Sequence, residues 1–590
     1  MKTHHLTLTH ASLAALFGLF IGCSKNEDTA GGSGGAPLPI KNAAEVEAFY
    51  KANPDFFVTA TPEDIPANLT WENGLDQPEL GSTKATKGGT LNLGIPDFPR
   101  TLRPLGPDAN GIFRRYIVDY ADMTYAVKHP NTDRYIPGLA REWAIDREDN
   151  TVFIRLDPEA KWSDGEPVTT EDVFFAFYFN RSPHNQAPWY QNFYSTKYST
   201  ITRYDDLTFS IKVADRRPDF DSYALELNPK PRHFYGEFDK DYVATYQWRP
   251  QPVTGPYVIN PKDIKKGQSI AMRRNKDWWA KDRKFFKHRF NPDRISFKVI
   301  RDPNKSFEAF KRGDIDLARL NLAEYWYSKL PDDHELVASG LIHKTTFYND
   351  VPQMGYRLWM NMSKPIFQNK DIRIGIQYAT NLALVCEKVF KNDWVQEQTC
   401  STGYSDLTNT TLRARPYSPE KAAEHFAAAG FTKRGPDGIF VNDKGERLSL
   451  NVSTGYKTLE DSLTILKQEA AKAGVEFDLE ILDSTTGFKK AQEKKHDICV
   501  AGFRPSPTEI YPRYWDFFHS DNAFNPDGSA KAQTNNLSCY GNPDTDKLID
   551  EYEKAVTHED KKRLSHQLQE IVHEEAPFVN GIYPPTYREG

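Results

Sequence analysis

The sequence predicts an exported α/β protein assembled from more than one large domain. Three observations carry this: a complete strand–helix–strand unit between residues 448 and 481, a short apolar leader that ends in cysteine, and a chain of 590 residues, longer than a single hydrophobic core usually organises. In the unit, residues 448–452 alternate as a strand, and Thr458 caps a helix with Leu463, Leu466, Ala470 and Ala471 on one stripe. Gly474 stops that helix, and Val475, Phe477, Leu479 and Ile481 alternate again.

The leader comes first in the chain. Residues 13–24 are an apolar run after Lys2, His4 and His5, too short for a permanent membrane helix, and read as an export signal. Phe20, Ile21, Gly22 and Cys23 have the form of a bacterial lipoprotein signal, with Phe20 where such signals usually carry Leu. The Cys23 thiol is expected to take a diacylglycerol and, after cleavage of residues 1–22, to become an acylated N-terminus. Two or three acyl chains, at about 0.8 kcal/mol per buried CH₂, anchor a protein without a spanning helix. Residues 23–87 are then a tether and N-terminal extension: Gly, Ala and Ser to about residue 40, then a short helical and loop-rich stretch.

No later segment approaches the roughly 20 apolar residues a membrane helix needs, and the mean hydropathy is -0.66. Loss of the leader removes only Lys2, leaving 74 basic against 81 acidic side chains with the signs interspersed, which argues against a nucleic-acid surface. Cys386, Cys400, Cys499 and Cys539 are an even set in a chain sent to an oxidising compartment, so two disulfides are expected, with Cys386–Cys400 and Cys499–Cys539 the favoured pairing of three. No C-x-x-C pair and no histidine at ligand spacing beside a cysteine supports zinc. Aromatic residues make up 13% of the chain, more than packing usually demands, which points to some of them lining a ligand surface.

Along the body, residues 90–95 alternate as a strand and run into a stiff turn containing Pro96, Pro99 and Pro104, and loops leaving strand ends are frequent ligand sites in α/β sheets. Thr169 starts a helix with Asp172 three residues on. Residues 306–312 form a helix that Gly313 ends before a strand over 314–320; Ser418 and Pro419 open a helix ending at Gly430; residues 544–575 read as two amphipathic helices. No repeat of 20 to 50 residues is present.

Several blocks, taken in order, resemble the family 5 extracellular solute-binding proteins, the peptide-binding components of ABC importers. They are residues 137–143 (PGLAREW), 152–156 (VFIRL), 161–173 (KWSDGEPVTTEDV), 252–259 (PVTGPYVI), 274–279 (RNKDWW), 307–317 (FEAFKRGDIDL), 361–367 (NMSKPIF) with 371–379 (DIRIGIQYA), and 417–423 (YSPEKAA). Their order extends the resemblance over residues 88–583. Residues 111–114 (GIFR), 514–523 (YWDFFHSDNA), 534–537 (TNNL) and 542–549 (NPDTDKLI) are similar to the subgroup associated with microcin C and longer oligopeptides. Two departures stand out. Many peptide-binding members carry Trp-x-x-Asp-Tyr-x-Asp-Pro where this chain reads GFRPSPTEIY over 502–511, so the contact with a peptide's α-ammonium passes to Glu509 or Asp516, or the ligand lacks a free amine. Relatives also usually continue past residues 577–583 with more first-lobe sequence, and an end at Gly590 reads as clipped.

The resemblance implies an α/β, two-lobed periplasmic-binding-protein fold of the large three-part class, with a hinge between the lobes and a discontinuous lobe I. By position, lobe I takes residues 88–125, 235–340 and 576–590, its second subdomain 126–234, and lobe II 341–575. It implies a monomeric, periplasmic substrate-binding component without cofactor or resident metal, held to a membrane only through its lipid. Its partners would be an oligopeptide or peptide-like ligand and separate permease and ATPase subunits. Extended peptides would be held by main-chain hydrogen bonds to strand edges, with roomy hydrated pockets for side chains. The candidate ligand residues are Asp97, Phe98, Arg100 and Arg103 at the first strand end, Trp359 and Asn361 near the hinge, and Arg504, Glu509, Tyr511, Trp515 and Asp516 in the later loop. Arginine suits two-point grip of a carboxylate or phosphate, and the aromatic rings suit stacking.

Other classes fit less well. No G-x-S-x-G, H-E-x-x-H, phosphate loop or dinucleotide fingerprint is present, and His566, Glu570 and His573, though at i, i+4 and i+7, lie in a strongly charged amphipathic run that reads as a solvated face. The same fold also serves binders of nickel complexes, haem, oligosaccharides, opines and lipids, and fold alone does not choose among them. With six methionines and no histidine cluster, a peptide ligand stays ahead. A surface-anchored scaffold or a chemosensory receptor partner is the remaining alternative.

Overall fold

The computed structural model describes residues 40–590 apart from 119, 216, 349–350, 353 and 504–509. The leader with Cys23 lies outside the described residues, as do Arg504 and Glu509. Three large sheets organise the remainder.

The first sheet has six strands in the order Phe57–Thr59, Tyr198–Arg203, Thr208–Val213, Thr151–Leu156, Ala140–Asp146 and Trp71–Glu72. Its strands Thr151–Leu156 and Thr208–Val213 are buried at all but one position each, because helix Thr170–Arg181 and its aromatic face cover the sheet. Thr169 opens that helix as expected and donates its backbone N–H to Asp172 at 3.0 Å. The N-terminal extension departs from its reading as a loop-rich lead-in. Phe57–Thr59 and Trp71–Glu72 supply both edges of this sheet, and Arg155 lies 3.8 Å over the Trp71 ring. Short strands on sheet edges carry little periodicity, which is why two- and three-residue pieces leave no alternation to read.

The second sheet joins Tyr257–Val258, Ser269–Arg274, Arg294–Val299 and Thr90–Ile95 in that order, with Ile264–Lys265 also paired to Ser269–Arg274. Thr90–Ile95 runs parallel to Arg294–Val299 on the sheet edge. The strand expected over 314–320 is present only as single bridges, Leu93 to Leu317 and Arg319 to Glu589. Helix Pro303–Lys311 ends ahead of Gly313, whose φ of 74° is the left-handed conformation that glycine adopts without penalty.

The third sheet runs Val395–Gln396, Phe578–Tyr583, Tyr356–Met360, Ile498–Ala501, Ser449–Thr454 and Glu476–Ile481. The strand–helix–strand unit is present, with Ser449–Thr454 and Glu476–Ile481 parallel and helix Glu460–Ala473 between them ending at left-handed Gly474. Thr458 does not cap that helix: it sits in a 3-10 turn over Lys457–Leu459, and Leu459 takes the N-cap position without a side-chain bond. The two C-terminal helices are Pro543–Lys554 and His558–Glu575. One expected boundary moves. The resemblance places residues 576–590 in lobe I, yet Phe578–Tyr583 pairs with Tyr356–Met360 inside the third sheet, and Tyr587–Glu589 pairs with Thr345–Phe347 in a separate two-stranded sheet. Gly581 allows this, since a Cβ there would lie 2.6 Å from the Tyr356 carbonyl oxygen. Glu397 sits at the same crossing, fully buried, accepting from the backbone N–H of Gly355 (2.8 Å) and Gly581 (2.9 Å) and two-point from Arg357 (2.8 and 2.9 Å). We propose that the first two sheets form one lobe and the third sheet with its helices the other.

The disulfide expectation is corrected: Cys386, Cys400, Cys499 and Cys539 are buried free thiols. Cys386 packs with Val385 and Phe390 on one side of the third sheet, whereas Cys400 belongs to the separate aromatic core around Trp359 and Tyr404. Cys499 and Cys539 lie within electrostatic reach of each other and of Lys494, and burial pushes both thiols above their ordinary range.

Candidate functional site

The strand Thr90–Ile95 delivers loop 96–110 to the edge of the second lobe, where helix Ser484–Gln492 begins. Ser484 donates its backbone N–H (2.9 Å) and its hydroxyl to the Asp97 carboxylate. A carboxylate of one lobe thus occupies the positive end of a helix of the other, an arrangement the helix dipole favours. Arg100 reaches the same helix start, donating to Asp483 at 3.2 and 3.3 Å and to the Thr486 hydroxyl. Burial works against the Asp483 carboxylate, but hydrogen bonds from Thr486 and the Arg100 charge hold it below the usual range. Further along, Lys489 pairs with Asp108 at 3.3 Å and Asn110 donates to Gln492 at 2.9 Å. Asp108, Asn110, Thr485, Lys489, Gln492 and Gln533 enclose a cavity of about 10 Å³, room for a single water.

The helix reaches this position because two glycines let it sit directly on the end of strand Ser449–Thr454. A Cβ on Gly487 would lie 2.6 Å from the Gly455 nitrogen, and one on Gly455 would lie 2.9 Å from the Ser484 Cα. Arg100, Asp483 and Lys489 remain between 37 and 42% exposed, so these interlobe ion pairs are solvent-screened and individually weak.

The other proposed residues fall into three groups. Phe98 stacks on Trp248 at 5.7 Å beside Asp97, on the seam. Arg103, Trp359 and Asn361 are buried and occupied by their own lobes. Arg103, 1% exposed, donates to the Gln247 side chain (3.1 Å) and the carbonyls of Leu105 (2.8 Å) and Pro107 (2.6 Å), tying down the proline-rich loop. The Trp359 indole donates to the Ala501 carbonyl at 2.9 Å, and Asn361 donates to the carbonyls of Lys494 (3.0 Å) and His496 (2.9 Å). Trp359 also forms the base of a ring cluster with Phe503 and Phe517, and Phe503 in turn meets Phe488 of the seam helix at 6.2 Å.

Tyr511, Trp515 and Asp516 form the third group, buried where the later loop meets the first lobe. Asp516 accepts from the Trp189 indole at 3.1 Å and pairs with Arg513 at 3.2 Å; burial raises its pKa, against the pull of Arg513 and Trp189. Lys197 lies 5.1 Å over the Trp515 ring. Tyr511 lies beside His558 and Lys561.

Sequence reasoning passed over helix Ser484–Gln492 and the first-lobe residues Trp189, Lys197 and Arg217. For the helix a signal exists: Asp483 at an N-cap, with Thr486 three residues on, and a glycine at 487 inside the helix. For Lys197 and Arg217 no local pattern distinguishes them from surface charge. His566, Glu570 and His573 diverge in their partners: His566 meets the Asp406 carbonyl at 3.0 Å and Glu570 accepts from Asn409 at 3.1 Å.

The α/β sheets, with a polar seam between a strand-end loop and a helix N-terminus, have the architecture of the periplasmic binding proteins. The family description for bacterial extracellular solute-binding proteins, family 5 (middle region) matches residues 134–525, and the chain belongs to that family. A Brucella melitensis protein provisionally named as a binding protein is 30% identical over 471 residues, covering 72% of this chain and 74% of the relative. The oligopeptide-binding protein AppA of Bacillus subtilis is 22% identical over 448 residues, 74% of this chain and 75% of AppA. The structure of AppA in complex with a nonapeptide superposes with a TM-score of 0.72 at 19% identity, over 86% of this chain and 95% of AppA. A Thermotoga maritima member of similar likeness, TM-score 0.70 at 18% identity over 86% of this chain and 92% of its own, was solved with mannohexaose bound. At these identities the structures establish the fold and leave the ligand open.

Proposed function

We propose that this chain is the lipid-anchored, periplasmic substrate-binding component of an ABC importer and that it captures oligopeptides or peptide-like compounds between its lobes, as a monomer, for delivery to separate permease and ATPase subunits. The observation that carries the reading is the seam itself. Asp97 and Arg100 meet helix Ser484–Gln492 through polar, partly exposed contacts, each too weak to hold the lobes shut alone. In such a seam a ligand that touches both lobes decides the balance between open and closed forms. Asp97, Phe98 and Arg100 then act at the cleft edge, with Tyr511, Trp515 and Asp516 at the other loop and Arg504 and Glu509 beside them in sequence. Arg103, Trp359 and Asn361 support the walls from behind. The similarity to a protein solved with a nonapeptide supports the peptide reading, as does the likeness of residues 514–523 to the long-oligopeptide subgroup.

The test is native mass spectrometry of residues 24–590 from a periplasmic extract, followed by gentle unfolding to release cargo. A heterogeneous set of short peptides is the expected result, and their termini show whether a free amine is required. A single saccharide, opine or metal complex would overturn the peptide assignment and leave the family membership intact. For the anchor, labelling with a radioactive fatty acid should mark the full chain and be lost in Cys23→Ser; an unlabelled wild-type chain would overturn it.

A further inference from the structure

A second set of contacts joins the lobes away from the strand-end loop. Glu553, near the end of helix Pro543–Lys554 in the second lobe, accepts from Lys197 at 3.1 Å and from Arg217 at 3.0 Å, both in the first lobe. The three side chains are 9, 8 and 5% exposed. Arg217 is fixed in two-point fashion by Asp219 at 2.7 and 3.2 Å and lies 4.0 Å over the Tyr223 ring, and Lys197 also faces Asp215 at 3.9 Å. The second lobe adds Lys561, whose ammonium group donates to the carbonyls of Tyr552 and Glu553.

These groups differ in kind from the seam at Asp97. Among the described residues, the acid paired with two cations is in one lobe and the cations are in the other. Separating the lobes would therefore return three charges to water at once, and bringing them together buries all three with their pairing complete. In Glu553→Gln the closed form would still bury Lys197 and Arg217 but without their shared carboxylate, and a buried charge that has lost its partner is strongly disfavoured. Burial works against the Glu553 carboxylate, yet Lys197, Arg217 and Lys561 hold it down at about 2, so it is charged throughout the working range.

We propose that Glu553, Lys197 and Arg217 form an electrostatic latch that favours the closed arrangement of the lobes and slows release of whatever lies between them, acting as positioning residues with no contact to the ligand required. The latch rests on the two-lobed fold and is independent of ligand class. It also differs from the Asp97 seam in its response to salt, since buried pairs are screened far less than exposed ones.

The test compares residues 24–590 of the wild type with Glu553→Gln in two readouts. One is lobe separation by small-angle X-ray scattering, and the other is loss of the co-purified cargo during dialysis, followed by native mass spectrometry without regard to what the cargo is. The expected result is a more expanded particle, or cargo lost about tenfold faster, a difference of about 1.4 kcal/mol, at an unchanged urea unfolding midpoint. Scattering and retention both equal to wild type would overturn the latch. If Glu553→Gln does not fold, Lys197→Gln is read in the same way, and failure of both to fold would also overturn it, because the cluster would then hold a lobe together and not the closure. The identity of the cargo, peptide or not, tests the proposed function separately.

Discussion

At the scale of single residues, the candidate site separates side chains that face the other lobe from side chains that hold a wall in place. Asp97 is of the first kind. Its carboxylate caps a helix it is not part of, so Asp97→Ala should cost about 1 kcal/mol of closure, the usual worth of an N-terminal cap. That is a few-fold weaker retention of cargo with a melting temperature close to wild type. Loss of stability without loss of retention would place Asp97 among the structural residues. His496 is of the second kind. It is fully buried, donates from Nε2 to the Leu537 carbonyl at 3.0 Å, and burial with the nearby Lys494 charge lowers its pKa to about 3. Its folded pKa is depressed, so the unfolded chain takes up a proton near pH 6.5 that the folded chain refuses. The stability it contributes is full above about 6.5 and is lost as pH falls toward 3, with a slope of about 1.4 kcal/mol per pH unit at most. Urea unfolding of His496→Gln across that window should show the acid slope reduced; an unchanged slope would assign the acid sensitivity to carboxylates.

At the scale of elements, the seam depends on how closely helix Ser484–Gln492 approaches the end of strand Ser449–Thr454. Gly487→Ala places a methyl group 2.6 Å from the Gly455 nitrogen, against backbone that has no rotamer to change. The helix must shift outward, at about 1–3 kcal/mol for an overpacked contact, and Ser484 then moves relative to Asp97. The expected outcome is a lower unfolding midpoint together with impaired cargo retention, measured on the same preparation. A stable Gly487→Ala variant with normal retention would show that the helix has slack the distances do not suggest. Element scale is also where sequence reading was strongest. The helices after Thr169 and Ser418 stand where capping residues put them, and strands Ser449–Thr454 and Glu476–Ile481 where alternation puts them, while the helix between the strands begins at Glu460 without the Thr458 cap. It failed at Phe57–Thr59 and Trp71–Glu72, which are too short to alternate, and over 314–320, where an alternating stretch makes only single bridges.

For the whole molecule, two types of interlobe contact give closure two different sensitivities. The Asp97 and Arg100 seam is partly exposed, so raising salt to about 1 M, where the Debye length is roughly 3 Å, should loosen it. The buried Glu553 cluster should hold. Scattering of wild type across a salt series should therefore show a modest expansion, and Arg100→Ala should show less of one because its exposed ion pair with Asp483 is already gone. Full opening of the wild type by salt would mean that exposed pairs dominate closure.

Family and α/β construction were legible from the sequence, because they rest on local signals: caps, alternation, turn residues and an ordered set of motifs. The sequence also placed Asp97, Phe98 and Arg100 at a strand end, where a loop is free to face outward. The tertiary structure alone decided which side chains look across the cleft. Arg103 and Arg100 are three residues apart in one loop, and one is buried against carbonyls of its own lobe while the other meets a helix 383 residues away. Glu553 reads as one more charge on an amphipathic helix until Lys197 and Arg217 close over it. Likewise the four cysteines, an even set in the sequence, lie in cores that keep them as free thiols. The reason is common to all three: composition and spacing record what a residue can do, and burial by distant parts of the chain selects which of those things it does.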